Sequence, residues 1–308
     1  MANLTLDISP EAVRSAGAGS VGTWHDFVAL LKPRVMTLVV FSAFAGLMVA
    51  PGALHPVLAA TAILCVAVAA GGAAAINMWY DRDIDLVMER TRHRPIPGGR
   101  VSAEAALGFG VFLSAASSAM IGLAVNWTAA AVLALSVLFY VFVYTVWLKR
   151  RTPHNIVIGG AAGAFPPVIG WAAVTGDIGL GAVALFALIF MWTPPHFWAL
   201  ALYRNEDYAR AGVPMLPVVA GERHTKLQML VYTVLLLPLA VLPYWIGIAG
   251  PAYGIGAAVL GLLFVACALK VWREDGAATG HRAARLMFGY SIFYLFAVLG
   301  LLIADRTA

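Results

Sequence analysis

Charge is scarce in this sequence. Only 11% of its 308 residues are Asp, Glu, Lys or Arg, while 62% are hydrophobic; a water-soluble chain carries about 25% charged residues. That shortage excludes an ordinary soluble globule and makes a lipid bilayer the expected solvent. Cysteine is almost absent as well. Cys65 and Cys267 both sit inside apolar runs and read as small hydrophobic residues, which argues against a disulfide framework or a thiolate metal centre. Residues 1–20 show no basic segment leading into an apolar one, so a cleaved signal peptide is not expected. Arg14 stands there against Asp7 and Glu11, unlike an arginine-rich organelle-targeting segment. No nucleic-acid motif accompanies the net charge of +5, so nucleic acid is not an expected partner.

Long apolar runs are what the sequence has in quantity. They cover 27–49, 56–79, 103–124, 127–147, 155–174, 178–202, 226–247, 251–273 and 284–304, each long enough to cross about 30 Å of hydrocarbon. The expectation is an all-α polytopic membrane protein: nine transmembrane helices forming one domain over 27–304, after a mobile N-terminal tail over 1–26. Short turns at Pro51-Gly52, Asn126, Thr175-Gly176-Asp177 and Gly250-Pro251 alternate with longer polar connections, chiefly 80–102 and 203–225. Of the 20 Lys and Arg residues, Arg306 alone falls on the side of the short turns. Basic residues stay cytoplasmic, so the N-terminus and the long loops are expected inside, in a bacterial inner membrane. This one-sided charge suits lipid headgroups or an anionic substrate arriving from the cytoplasm.

The second run ends in Asn77-Met-Trp-Tyr-Asp81-Arg-Asp83-Ile-Asp85. Asn77, Asp81 and Asp85, spaced i, i+4, i+8, share one face of a continuing helix. Two carboxylates 4 Å apart repel by about 4 kcal/mol at an effective dielectric near 20, and a hard divalent cation offsets that. Magnesium takes one or two carboxylates and leaves positions for substrate phosphate. Asp83 points off the shared face and reads as a salt-bridge partner. The following loop carries Arg90 and Arg94, whose guanidiniums suit a phosphate held beside the metal; the bland alternative is an acidic helix end neutralised by Arg82, Arg90 and Arg94. Lys32 and Arg34 around Pro33, and Tyr144 with Lys149, are further candidates on the same side, balanced between phosphate contact and interfacial anchoring.

The sixth run has a related ending, Thr193-Pro194-Pro195-His196-Phe-Trp198 followed by Tyr203 and Asp207-Tyr208. His196, Tyr203 and Asp207 are spaced i, i+7, i+11, again one helical face. Two prolines remove two backbone donors, a break expected to line a cavity. An intramembrane histidine beside it is a functional candidate.

Asn77-x3-Asp81-x3-Asp85 with Arg90-Thr-Arg-His-Arg94-Pro95 resembles the first motif of the UbiA-type intramembrane prenyltransferases. Thr193 to Trp198, with Asp207-Tyr208-Ala-Arg210-Ala-Gly212-Val-Pro214-Met-Leu-Pro217, resembles the branch of that family that farnesylates haem. The likeness runs from about residue 27 to residue 304. It implies a nine-helix bundle around a central cavity open to the cytoplasmic side. Farnesyl diphosphate and haem b are the implied substrates, Mg2+ the cofactor, and the next enzyme of haem A synthesis a possible contact. Asn77, Asp81 and Asp85 would hold the first metal–diphosphate site and Asp207 the second. His196, Trp198 and Tyr203 would face haem or the cavity, although most other members carry aspartates where His196 and Tyr203 stand. Three competing readings are a prenyltransferase for a quinone precursor or chlorophyllide, a cation-coupled transporter, and a non-enzymatic haem-binding factor.

Overall fold

The computed structural model describes residues 22–306, so most of the tail expected over 1–26 lies outside the described residues. The described chain is helical from end to end. In order it forms α1 (Trp24–Leu30), α2 (Pro33–Val49), α3 (Pro56–Tyr80), α4 (Arg82–Val87), α5 (Ala103–Ala124) and α6 (Trp127–Leu138). α6 runs without interruption into a π-helical segment, Phe139–Leu148. Then come α7 (Asn155–Thr175), α8 (Leu180–Tyr203), α9 (Asn205–Arg210), α10 (Leu216–Trp245), α11 (Pro251–Arg273), α12 (Gly276–Thr279) and α13 (Arg282–Ala304). Eight helices, counting α6 with its π segment as one, are long and apolar enough to cross a bilayer. α1 and α2, bent by 53° at their break, bring the number to nine when the pair is counted as one span.

Local chemistry sets the boundaries. Proline stands at the start of α2, α3 and α11, where its missing N–H costs nothing. Ser102 and Asn126 cap α5 and α6 by accepting the backbone N–H of Ala105 and Ala129, satisfying donors that a helix start leaves free. Gly176 ends α7 at φ 69°, a left-handed turn that glycine enters without strain.

Small residues set the packing. A Cβ on Gly46 would lie 2.0 Å from the Pro167 carbonyl oxygen, and one on Gly170 the same distance from that of Ala43. α2 and α7 therefore meet backbone to backbone, the close approach that glycine permits between helices in lipid. α7 is the centre of the bundle, with 72% of its apolar window buried against 28% for α10 at the edge.

The two ends of the bundle differ. At one, Asn126 Nδ2 donates to the Ala172 and Ala173 carbonyls, Asp305 accepts the Tyr253 N–H, and Arg306 donates to the Met48 carbonyl. These are short, closed turns. The other end carries the long connections and nearly all the charge, as the alternation of loops implied.

Three features depart from the expected helices. The first span is broken at Lys32, a non-glycine residue at φ 51°. The seventh begins at Leu216, ten residues earlier than hydropathy placed it, with a kink at Gly221 (φ 78°). Conversely, α8 continues through Pro194-Pro195. The prolines cost the Phe190 and Met191 carbonyls their usual donors, and dense packing around this buried turn keeps the helix intact.

Candidate active site

Asn77 stands in the last turn of α3, and the backbone continues its helical bonding through the join: Asp81 N–H donates to the Asn77 carbonyl and Asp85 N–H to that of Asp81, both at 2.9 Å. The i, i+4, i+8 spacing therefore survives into α4. Asn77, Asp81 and Asp85 are 4%, 0% and 2% exposed, and buried carboxylates of this kind stand only when cations or donors meet them.

The partners come from three other segments. Lys32 Nζ, at the α1–α2 break, donates to Asn77 Oδ1 at 3.0 Å. Asn77 Nδ2 in turn donates to Asp81 Oδ2 at 2.7 Å and to Thr145 Oγ1 at 3.1 Å. Lys149 Nζ pairs with the same Asp81 oxygen. Arg94, from the loop after α4, pairs with Asp85 Oδ2 at 2.7 Å. Thr145 and Lys149 are presented by the π segment and its first following residue, where Lys149 N–H bonds the Tyr144 carbonyl five residues back. Tyr144 stacks on Tyr140 with ring centroids 5.5 Å apart and lies against Gly159 of α7.

Asp83 leaves this face, as expected. Both its oxygens accept from Arg150 at 2.6 Å, and Arg150 also donates to the Tyr80 carbonyl. Burial pushes the Asp83 pKa up, but the Arg150 hydrogen bonds outweigh it and hold the carboxyl below its ordinary range. Arg34 and Arg90 are exposed and form no ion pair among the described residues.

The second ending divides in two. α8 stops at Arg204, and α9 carries Asp207 away from the His196–Tyr203 face. Asp207 Oδ1 accepts the Glu89 backbone N–H at 3.1 Å and pairs with Arg210 at 2.7 Å. The loop after α4 and the loop after α8 are thereby tied together. Burial raises the Asp207 pKa, yet Arg210 and the backbone donors of Glu89 and Arg90 bring it below the usual carboxylate value.

His196 belongs to a different environment. Its ring is sandwiched between Trp192 and Phe288, at centroid distances of 4.3 and 4.7 Å, and its Nδ1 is 2.6 Å from Ser291 Oγ on α13. Tyr203 meets the other side of Phe288 at 6.1 Å, beneath the guanidinium of Arg285. Trp198 turns away from this face and packs edge-on against Tyr232 of α10.

Sequence reasoning missed Thr145, Ser291 and Arg285, and gave Arg150 no role beyond its charge. A threonine or serine in an apolar run has no signal of its own, and Arg150 is masked by the Lys149-Arg150-Arg151 run.

Among the described residues no three His, Cys, Asp or Glu side chains converge as a metal cage. Two acceptors nevertheless want a cation: Asp81 Oδ1 and Asp207 Oδ2 are buried without a hydrogen bond, and the nearest guanidinium nitrogen to Asp81 Oδ1 lies 3.6 Å away. One carboxylate plus substrate oxygens is a donor set magnesium accepts, so the residues fit that ion better than a metal that needs a closed protein cage.

The helical bundle with its buried Asn77–Asp85 cluster at one end is that of an intramembrane prenyltransferase, and this chain belongs to the UbiA prenyltransferase family, whose profile matches residues 39–292. Curated relatives 53–60% identical over most of the chain carry the name protoheme IX farnesyltransferase. The one from Novosphingobium aromaticivorans is 58% identical over 286 residues, 92% of this chain and 94% of that protein. Among solved structures, that of a digeranylgeranylglyceryl phosphate synthase aligns with a TM-score of 0.74 at 19% identity, over 91% of this chain and 98% of the other. A UbiA homologue from Archaeoglobus fulgidus bound to GPP and Mg2+ aligns at 0.62 and 19% identity, over 89% and 99%. These structural likenesses establish the fold.

Proposed function

We propose that this chain transfers the farnesyl group of farnesyl diphosphate to a vinyl group of haem b, giving haem O and diphosphate. The observation that carries the reading is the pairing of two unlike surfaces at one end of the bundle: a buried acidic cluster surrounded by cations, and a histidine held between aromatic rings. The name shared by the curated relatives supports the same acceptor.

In this reading Lys32 moves from the Asn77 amide oxygen, and Lys149 and Arg94 from carboxylates, to diphosphate oxygens as substrate enters. Arg34 and Arg90, exposed at the rim, meet the diphosphate from the cytoplasmic side. Asn77, Asp81, Asp85 and Asp207 would hold Mg2+, which supplies positive charge where the leaving diphosphate gathers negative charge. Tyr140, Tyr144 and the apolar walls exclude water from the allylic carbon as its C–O bond breaks. The vinyl π electrons form the new C–C bond, and water adds to the resulting porphyrin-side cation and loses a proton. Atoms balance: haem gains one farnesyl group and one hydroxyl. The orientation proposed is cytoplasmic for the N-terminus and the acidic end, in a bacterial inner membrane.

The test is mass spectrometry of haem extracted after purified protein is incubated with haem b, farnesyl diphosphate and Mg2+. The expected product carries the mass of haem b plus farnesol. Prenylation of an added phenol or chlorophyllide, with haem untouched, would sink the reading.

A further inference from the structure

The seam between α8 and α13 holds more than a buried histidine. Ser291 Oγ donates its only proton to the Phe288 carbonyl at 2.6 Å. A hydroxyl has one proton and two lone pairs, so at the 2.6 Å contact with His196 the serine oxygen accepts, and the ring carries its hydrogen on Nδ1. That tautomer is assigned from the network. It leaves Nε2 as a bare lone pair, and Nε2 has no partner among the described residues. Trp192 Nε1 donates to the Ser291 carbonyl at 2.8 Å, and Trp192 and Phe288 clamp both faces of the ring, so its plane and tautomer are fixed together.

Seven residues further along α8, about 10 Å at the helical rise, the seam reaches the membrane boundary. There Arg285 and Arg204 lie 5.4 and 6.0 Å from the Tyr203 ring centroid. Both are exposed, and neither has a carboxylate partner among the described residues. Phe288 touches both His196 and Tyr203, so the imidazole and the two guanidiniums belong to one continuous surface. A bare imidazole nitrogen at depth and two unpaired guanidiniums at the rim complement a flat apolar metal complex that ends in two carboxylates.

Building on the proposed function, we infer that the α8–α13 seam is the acceptor subsite: His196 Nε2, oriented by Ser291, ligates the haem iron, and Arg204 and Arg285 take the propionates. Ser291 is thereby a positioning residue, in the manner of outer-shell partners that fix a ligating histidine.

Purified protein in detergent is titrated with ferric haem and, separately, with haem dimethyl ester, reading the Soret band and the iron EPR signal. Wild type is expected to give nitrogen-ligated iron. His196→Gly should lose that signature and regain it with added imidazole. Ser291→Ala should weaken haem binding about 10- to 100-fold, the usual cost of an outer-shell partner. The Arg204→Ala/Arg285→Ala double variant should raise the Kd for haem about tenfold or more, as expected for lost charge-assisted hydrogen bonds, and leave that for the dimethyl ester unchanged. Asp81→Ala should keep the wild-type spectrum. An unchanged spectrum in His196→Gly, or an equal loss for haem and ester in the arginine variant, would overturn the subsite. If wild type still makes haem O in that case, the transfer reaction stands; if wild type neither binds nor converts haem, both fall.

Discussion

The two acidic helix ends look like repeats in sequence, yet they are built on opposite physical principles. At the end of α3, Asn77, Asp81 and Asp85 are closed in by Lys32, Lys149 and Arg94. Nearly every charge there has a partner that an incoming anion can take over. At the end of α8, Asp207 is the one acidic member of the His196, Tyr203 and Asp207 set, and it joins two loops through Glu89. His196 and Tyr203 replace charge with aromatic surface. In the proposed reading, charge handling and acceptor recognition are thus separated along one rim of the bundle, and two similar sequence endings have unlike surroundings.

Substitutions can break or sharpen that contrast. The largest effect is expected from Asp81→Ala, which removes the most buried carboxylate of the first end. Haem O formation should fall about 10²- to 10³-fold or more, as for loss of a transition-state electrostatic contact, while circular dichroism stays helical. Wild-type turnover would show that the acidic end does not carry the charge. Lys149→Met should act more selectively, raising KM for farnesyl diphosphate about tenfold, one charge-assisted contact, with haem affinity unchanged. A parallel loss of haem affinity would dissolve the division between the two ends.

Gly159→Ala tests the support behind the first end. A Cβ there would lie 2.2 Å from Tyr144 Cδ2, so the π segment must shift. Thermal unfolding is expected to report a loss of about 1–3 kcal/mol, typical of overpacking, accompanied by weaker diphosphate binding. The smallest effect concerns Asp83. Its folded pKa lies below the ordinary value, so its ion pair adds stability above the unfolded pKa of about 3.9 and loses it as pH falls through the folded value. Asp83→Asn should cost about 1 kcal/mol or less at neutral pH, the scale of a partly exposed pair. The gap from wild type should close below about pH 4 in acid-unfolding curves.

Hydropathy and the placement of basic residues made the spans and their alternation readable, because length against bilayer thickness is a constraint each segment meets alone. The Asn77–Asp81–Asp85 face was readable for the same reason: helical spacing is local. What resisted reading is tertiary. Nothing near Asp81 in sequence names Thr145 or Lys149, and nothing near His196 names Ser291, 95 residues away. The break at Lys32 was hidden because a left-handed lysine leaves no compositional mark. Continuity of α8 through Pro194-Pro195 was hidden because surrounding helices, not the prolines, decide whether a buried turn survives.

The π-helical stretch at Phe139–Leu148 has a consequence for how this protein tolerates length change. A helix that widens to i, i+5 bonding has in effect absorbed an extra residue without lengthening its path. Removing one residue from that stretch would let it tighten to ordinary α-helix while the residues beyond keep their facing. Lys149 would still meet Asp81, whereas the same deletion in a plain α-helix would rotate everything beyond by about 100°. The acidic end is therefore buffered against a single-codon deletion in this span, as it is not against loss of an aspartate.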